Sequence, residues 1–304
     1  MSDETPCAFC EQPKPLQVSH VVPSFVYRWL KDTSATGYLR YGQRPNQRAQ
    51  DGLKCELLCR DCEALFNGWE TPFALNLFHP YHSRTTSRFE YKSWMSKCLT
   101  SICWRALIDL QRQGNLRQLN VNFGSDVDAA LLTWKAFLRE ERRDIGEFEL
   151  HVLPLDEIAE TDGDSPPRIH RYLLRAVQID RIWTQQSAFV VVKLARLLVI
   201  GFIREPERAF WSGTKIDLET GAIAPGLMSV PNCLLNWVAQ QAERISEIDA
   251  TLSSRQEAKI QATVDMNPER AMQSETMAAL AADIRLSSRQ ADHNLRSNRK
   301  SMDG

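Results

Sequence analysis

The residues best suited to chemistry are Cys7 and Cys10 in "CAFC" and Cys59 and Cys62 in "CRDC", two Cys-x-x-C pairs on either side of a single Ser19-His20-x-x-Pro23. Each pair can offer two thiolates from one turn, and two pairs complete the tetrahedral set of a structural zinc site. Four thiolates leave no position for water, so a Zn2+ held this way staples two chain segments and does not act on a substrate. The remaining cysteines, Cys55, Cys98, Cys103 and Cys233, lack this spacing and are expected to be packing residues.

The elements around the pairs follow from local pattern. "LQVSH" predicts a short strand with His20 at its end, and Pro23-Ser24 opens a helix reading "FVYRWLK". Residues 33–52 contain Gly37, Gly42, Pro45 and Asn46 without a steady period, which predicts a long loop. "LKCELLC" predicts a second strand entering the Cys59 knuckle, and the helix after it is expected to run until Pro80 stops it.

This frame resembles the zinc-stapled ββα-metal subgroup of the HNH endonuclease family over roughly the first eighty residues. In that family a Cys-x-x-C precedes a strand ending in an acidic residue, His and x-x-Pro; after an insertion, a second strand carrying Asn leads to a Cys-x-x-C that begins a helix. The resemblance implies that His20 is the general base activating water, a task suited to imidazole. It also implies a catalytic Mg2+ or Mn2+ held by oxygen ligands.

The chain departs from the family pattern in placing Ser19 where the acid belongs and Lys54 where counting back from Cys59 places the Asn. Glu63, Asn67 and Glu70 lie at i, i+4 and i+7 of the expected helix, within an arc of about 60°, and are candidate replacement ligands. The bland alternative is that they form the wet side of an amphipathic helix. A Ser19–His20 hydrolase pair is disfavoured, because strand neighbours point to opposite faces and no nucleophile elbow is visible. His79 and His82 are expected to be surface residues.

Arg40, Arg44, Arg48 and Lys54, interleaved with Tyr38 and Tyr41, are the expected nucleic-acid contacts, with a solvated charged loop as the competing reading. The net charge of −1 argues against a chain that is basic all over. No signal or membrane-spanning segment is expected, and the cytoplasm is the expected location.

Beyond residue 83 the readings carry no chemistry. Residues 91–113 predict an amphipathic helix capped by Gly114, "QLNVNFG" a strand, "SDVDAALLTWKAFLRE" a helix and "EFELHVL" a strand. "RYLLRAVQIDRIW" is ambiguous between helix and strand, Ser187–Ile203 predicts a buried helix, and "FWSGTKIDLETGAIAPG" a hairpin. Trp94, Trp104, Trp134, Trp183 and Trp211 are expected in the core. From Asn232 helix formers dominate, with Val238, Ile245 and Leu252 as a seven-residue seam, Pro268 as a break, and a basic, mobile tail.

The expectation is therefore an α+β protein with an HNH-like unit at 1–83, a mainly helical mixed domain at 84–231 and a helical C-terminal arm at 232–304. The arm would dock a partner protein, self-associate or pack on its own domain. The expected function is metal-dependent hydrolysis of DNA, with RNA an open alternative, and the resemblance points by analogy to defence or mobile-element biology. The competing class is a catalytically silent, zinc-stapled nucleic-acid or protein-binding subunit.

Overall fold

The structure is a computed structural model that describes residues 5–159, 165–224 and 226–302, with side chains through residue 290. It is a mixed α+β protein, about half helical, with the four-cysteine cluster near its N-terminus. Two compact units emerge, one formed by residues 1–25, 52–153 and 177–233, the other by 26–51, 154–176 and 234–304. Among the described residues, no helix is long and apolar enough to cross a membrane.

In the first unit, β1 (Leu16–His20) and the later β2 (Lys54–Cys59) pair antiparallel, and α2 (Arg60–Phe73) follows β2 directly; α1 (Ser24–Asp32) comes between the strands. The register shifts between Gln17 and Val18, so that Leu57 is an extra residue on β2. The bulge brings the consecutive Leu57 and Leu58 both into the core and releases the Leu57 carbonyl to accept from the Ala8 N–H at 3.0 Å. Strand and first knuckle are thereby joined.

The helix does not end at Pro80. A π-helical turn at Ala74–Phe78 leads into α3 (His79–His82), with Pro80 in its first turn, where the missing N–H costs little. His82 is buried, correcting its placement on the surface, whereas His79 is exposed. The Nδ1 of His82 lies 2.7 Å from the Phe78 carbonyl and its Nε2 accepts from the Arg196 N–H at 3.1 Å, which fixes a neutral tautomer.

After β3 (Phe89–Lys92), the helix expected at 91–113 is present as α4 (Trp94–Arg112), and Gly114 takes the left-handed conformation at φ 71°. "QLNVNFG" is helical, not a strand: α5 (Arg117–Leu138) runs through it with a kink at Phe123. Leu119, Phe123, Val127, Ala130 and Trp134 are buried at helical spacing, and this outweighs the local alternation.

The expected strand in "EFELHVL" is β4 (Leu150–Pro154). The ambiguous stretch divides into α6 (Ile169–Arg175) and β5 (Val177–Trp183). Ser187–Ile203 is not a helix but the hairpin of β6 (Ala188–Leu194) and β7 (Leu197–Arg204), turning at Ala195, whose φ is 53°. The sheet order is β4-β7-β6-β5, with α4 and α5 packed against its inner strands. Strands buried on both faces lose the alternation that identifies a strand.

The hairpin expected around Glu219-Thr220-Gly221 is likewise replaced. Thr220–Ile223 forms β8, which pairs antiparallel with β3. Gly221 lies opposite Tyr91, and a Cβ there would fall 2.2 Å from the phenol oxygen, so only glycine lets these strands close. Trp104, Trp134 and Trp211 are core residues as expected, but Trp94 is half-buried and Trp183 exposed.

The second unit is helical. It holds most of α1, the 33–52 loop, α6, and four C-terminal helices: α7 (Asn232–Ala250), α8 (Ser254–Met266), α9 (Pro268–Met272) and α10 (Glu275–Met302). Leu234, Trp237 and Gln241 are buried on α7, displacing the expected Val238-Ile245-Leu252 seam, whose last member lies beyond the helix end. Pro268 begins a helix after the predicted break. Helix α10 packs on α6, where the Asp283 carboxylate accepts from the His170 backbone N–H at 2.8 Å. The tail is helical through Met302; its side chains beyond 290 and residues 303–304 lie outside the described residues, as do residues 160–164.

Burial drives the pKa of His82 down to about 3 and that of His151 down to about 4, the latter against the opposing pull of Glu149. Both stay neutral in the fold, whereas the unfolded chain takes up protons below about pH 6.5, so stability is full above that pH and falls as pH drops toward 4 and then 3. Calorimetry from pH 7 to 4 should show a falling Tm and a loss of about 3 kcal/mol or more. His82→Gln should flatten the slope; an unchanged slope would remove histidine burial as its cause.

Candidate metal centre and cleft

The four sulfur atoms of Cys7, Cys10, Cys59 and Cys62 lie within 4.8 Å of one another. Cys10 and Cys59 Sγ are 3.8 Å apart and Cys59 and Cys62 Sγ 3.5 Å apart. Tetrahedral Zn–S bonds of about 2.3 Å place sulfurs about 3.8 Å apart, so the set fits zinc. Cys59 ends β2 and Cys62 sits in the first turn of α2, while Cys7 and Cys10 lie on a tight turn closed by the Glu11 N–H to the Cys7 carbonyl at 2.8 Å.

Backbone donors prevail at one of the four, Cys7, whereas burial pushes the thiols of Cys10 and Cys62 up. Burial pushes the Cys7 thiol up, but N–H groups of Cys10, Cys59 and Phe9 outweigh it and bring the pKa down to about 7. The knuckle is anchored by packing: Phe9 meets Phe66 of α2 edge-on at 5.0 Å and Trp104 of α4 at 5.8 Å. Lys14 pairs with Asp61 at 2.8 Å, and Glu11 with Lys135 at 2.6 Å.

A cleft of ≈ 360 Å³ lies in the same unit, lined by Ser19, His20, Glu63, Asn67, Glu70 and Arg105 among others. His20 at the end of β1 and the three polar residues on α2 thus border one space. Asn67 is exposed, while His20, Glu63 and Glu70 are half-buried. Lys54 is the cross-strand partner of His20 and does not line the cleft; Arg40, Arg44 and Arg48 belong to the second unit.

The two glutamates differ in kind. Glu63 Oε1 is buried and makes no hydrogen bond among the described residues. Burial raises its pKa, opposed by the Ser19 hydroxyl and by the charge of Arg105. An unsatisfied carboxylate oxygen and the Asn67 amide are hard donors that fit a small divalent cation. Glu70 instead accepts from Arg105 Nη2 at 2.5 Å, with side-chain exposures of 4% for the arginine and 14% for the glutamate.

Arg105 escaped the sequence reading. It stands within the apolar stripe "ICWRALI" of α4, where a charge is conspicuous only because burial of its neighbours demands a partner. Its Nη1 donates to the His20 carbonyl at 3.1 Å and its Nε to the Ser101 carbonyl at 3.2 Å. The guanidinium therefore holds the strand end that carries His20 and the carboxylate of Glu70. A scan against protein-family models, a search of curated proteins and a search of solved structures each return no match.

Purified protein should contain about one zinc per chain by elemental analysis, because four preorganised thiolates bind the ion strongly. A strong chelator, or Cys59→Ser, should release it and render residues 5–73 protease-sensitive, since structural zinc contributes about 10 kcal/mol of apparent folding free energy. Metal-free protein with an unchanged Tm would exclude the stapling role.

Proposed function

We propose that the cleft is the active site of an HNH-like endonuclease that hydrolyses DNA phosphodiester bonds. The observation that carries this reading is the meeting of His20 with Glu63, whose Oε1 has no hydrogen-bond partner among the described residues, in one polar cleft, on a strand, strand and helix that bring four cysteines together. His20 takes the proton of the attacking water. Glu63, with Asn67, would hold Mg2+ or Mn2+, which supplies charge stabilisation at the scissile phosphate when bound. Glu70 serves as the counter-ion of Arg105, which positions His20 through its carbonyl.

A second reading, a silent zinc-stapled binding subunit, is favoured by two observations: Ser19 stands in place of the family's acid, and Glu70 is already neutralised by Arg105. Plasmid nicking with Mg2+ or Mn2+ separates the two. The enzyme reading expects cleavage that falls about 100-fold or more in His20→Ala with DNA binding retained. Binding with no nicking under either metal would leave the silent subunit.

The raised pKa of Glu63 adds a pH signature. A carboxylate must be ionised to hold a cation, so Mn2+ affinity should weaken on acidification at pH values where a free glutamate is still charged. Titration of Mn2+ into His20→Ala reads this without catalysis. Affinity that ignores both pH and Glu63→Gln would remove Glu63 as the ligand.

A further inference from the structure

The 33–52 loop of the second unit contains three arginines, and among the described residues none of Arg40, Arg44 and Arg48 has a carboxylate partner. Two of them gather on one ring: the Arg48 guanidinium carbon lies 4.1 Å from the Tyr38 centroid and that of Arg40 5.1 Å. The Tyr38 hydroxyl oxygen is buried beside them and, among the described residues, has no partner in hydrogen-bonding geometry. Arg171 of α6 adds a further guanidinium, shared with Asp249 of α7.

Ordinary loops do not hold like charges together, because each exposed arginine would swing away into water. This one is fastened. Asn46 Nδ2 donates to the Thr251 carbonyl at 3.0 Å, and its Oδ1 accepts from the Ser253 N–H at 2.8 Å, tying the loop to the α7–α8 turn. Arg40 Nη1 donates to the Pro45 carbonyl at 3.1 Å. In the amide orientation that satisfies both ends, Gln256 of α8 accepts from Arg40 Nη2 at 2.9 Å and donates to the Asn46 carbonyl at 3.0 Å. Leu39 and Ala49 close the loop base as an isolated antiparallel bridge.

Burial pushes the Arg40 guanidinium below its usual range; Arg48 and Arg171 push it the same way, against an opposing pull from Tyr38. An anion entering between Arg40 and Arg48 would relieve that repulsion, and the Tyr38 hydroxyl would gain an acceptor. The two guanidinium groups over the Tyr38 ring stand where a base would have to stack. Tyr41 has its hydroxyl committed to the Asp51 carbonyl at 2.6 Å, so it offers no free polar group to read a base edge.

We infer that Arg40, Arg48 and Tyr38 form a preorganised receptor for the phosphodiester groups of a nucleic-acid backbone, which grips the strand without reading its bases. The inference rests on the nucleic-acid reading given above but not on catalysis. It predicts affinity that is set by charge, indifferent to sequence and steeply dependent on salt.

The test uses full-length, zinc-loaded protein carrying His20→Ala, so that no cleavage interferes, and fluorescence anisotropy with labelled 20-mers of several base compositions. Expected is similar affinity for all of them, and for R40A/R48A a uniform loss of tenfold or more at low salt. The slope of log K against log salt should fall by about two. Arg48→Lys should retain most of the binding, and Tyr38→Phe should weaken it less than Tyr38→Ala. Tripolyphosphate should compete with DNA for the parent protein and not for R40A/R48A.

Circular dichroism identifies any variant that has lost its fold; for such a variant the exposed single change Arg48→Gln is read instead, with an expected slope change of about one. An R40A/R48A protein that binds like the parent, affinity that follows base composition, or a parent that binds no DNA would each overturn the receptor. Loss of nicking alone, with these binding results intact, would count only against the catalytic reading.

Discussion

Four sulfur atoms from two separate stretches of chain have to meet within bonding reach of one ion, and the rest of the first unit is arranged so that they do. The constraint is strict, since a displacement of a few tenths of an ångström at one sulfur breaks tetrahedral coordination. The extra residue at Leu57 lets two adjacent leucines enter the core while the strand still delivers Cys59 to the start of α2. Phe9 then presses the opposite knuckle against Phe66 and Trp104. A metal site of this kind replaces the hydrophobic core that a two-stranded sheet with one helix is too small to provide.

The cleft borrows its order from that scaffold. His20 stands at the end of the strand whose first residue, Leu16, pairs with Cys59, so the cysteine cluster and the imidazole stand at opposite ends of one ladder. Arg105 reaches the other end from α4, and the two fixings leave the strand little freedom. Glu63 is the residue on which the proposed function turns, because a carboxylate oxygen buried with no partner among the described residues is expensive unless something occupies the space beside it.

The sequence disclosed what has a local chemical signature. The cysteine spacing, the strand ending at His20, the proline-initiated helix and the glycine-capped α4 could all be read because each depends on neighbours a few residues away. The β6–β7 hairpin could not, since burial on both faces erased its alternation and left a continuous apolar run that also suits a helix. Alternation in "QLNVNFG" misled for the opposite reason, being present locally but overruled by packing. Arg105 and the link between α10 and α6 through Asp283 and His170 join residues far apart in sequence, and no single-chain pattern marks them.

The first unit is assembled from three stretches, of which the last begins at Val177. A ribosome therefore releases both cysteine pairs long before it has made the sheet strands against which α4 will rest. During that interval Phe9, Phe66 and Trp104 have only part of their final cover, and early capture of the ion is what can hold the nascent segment together. Availability of zinc during translation would thus govern the yield of correctly folded chains as well as their later durability.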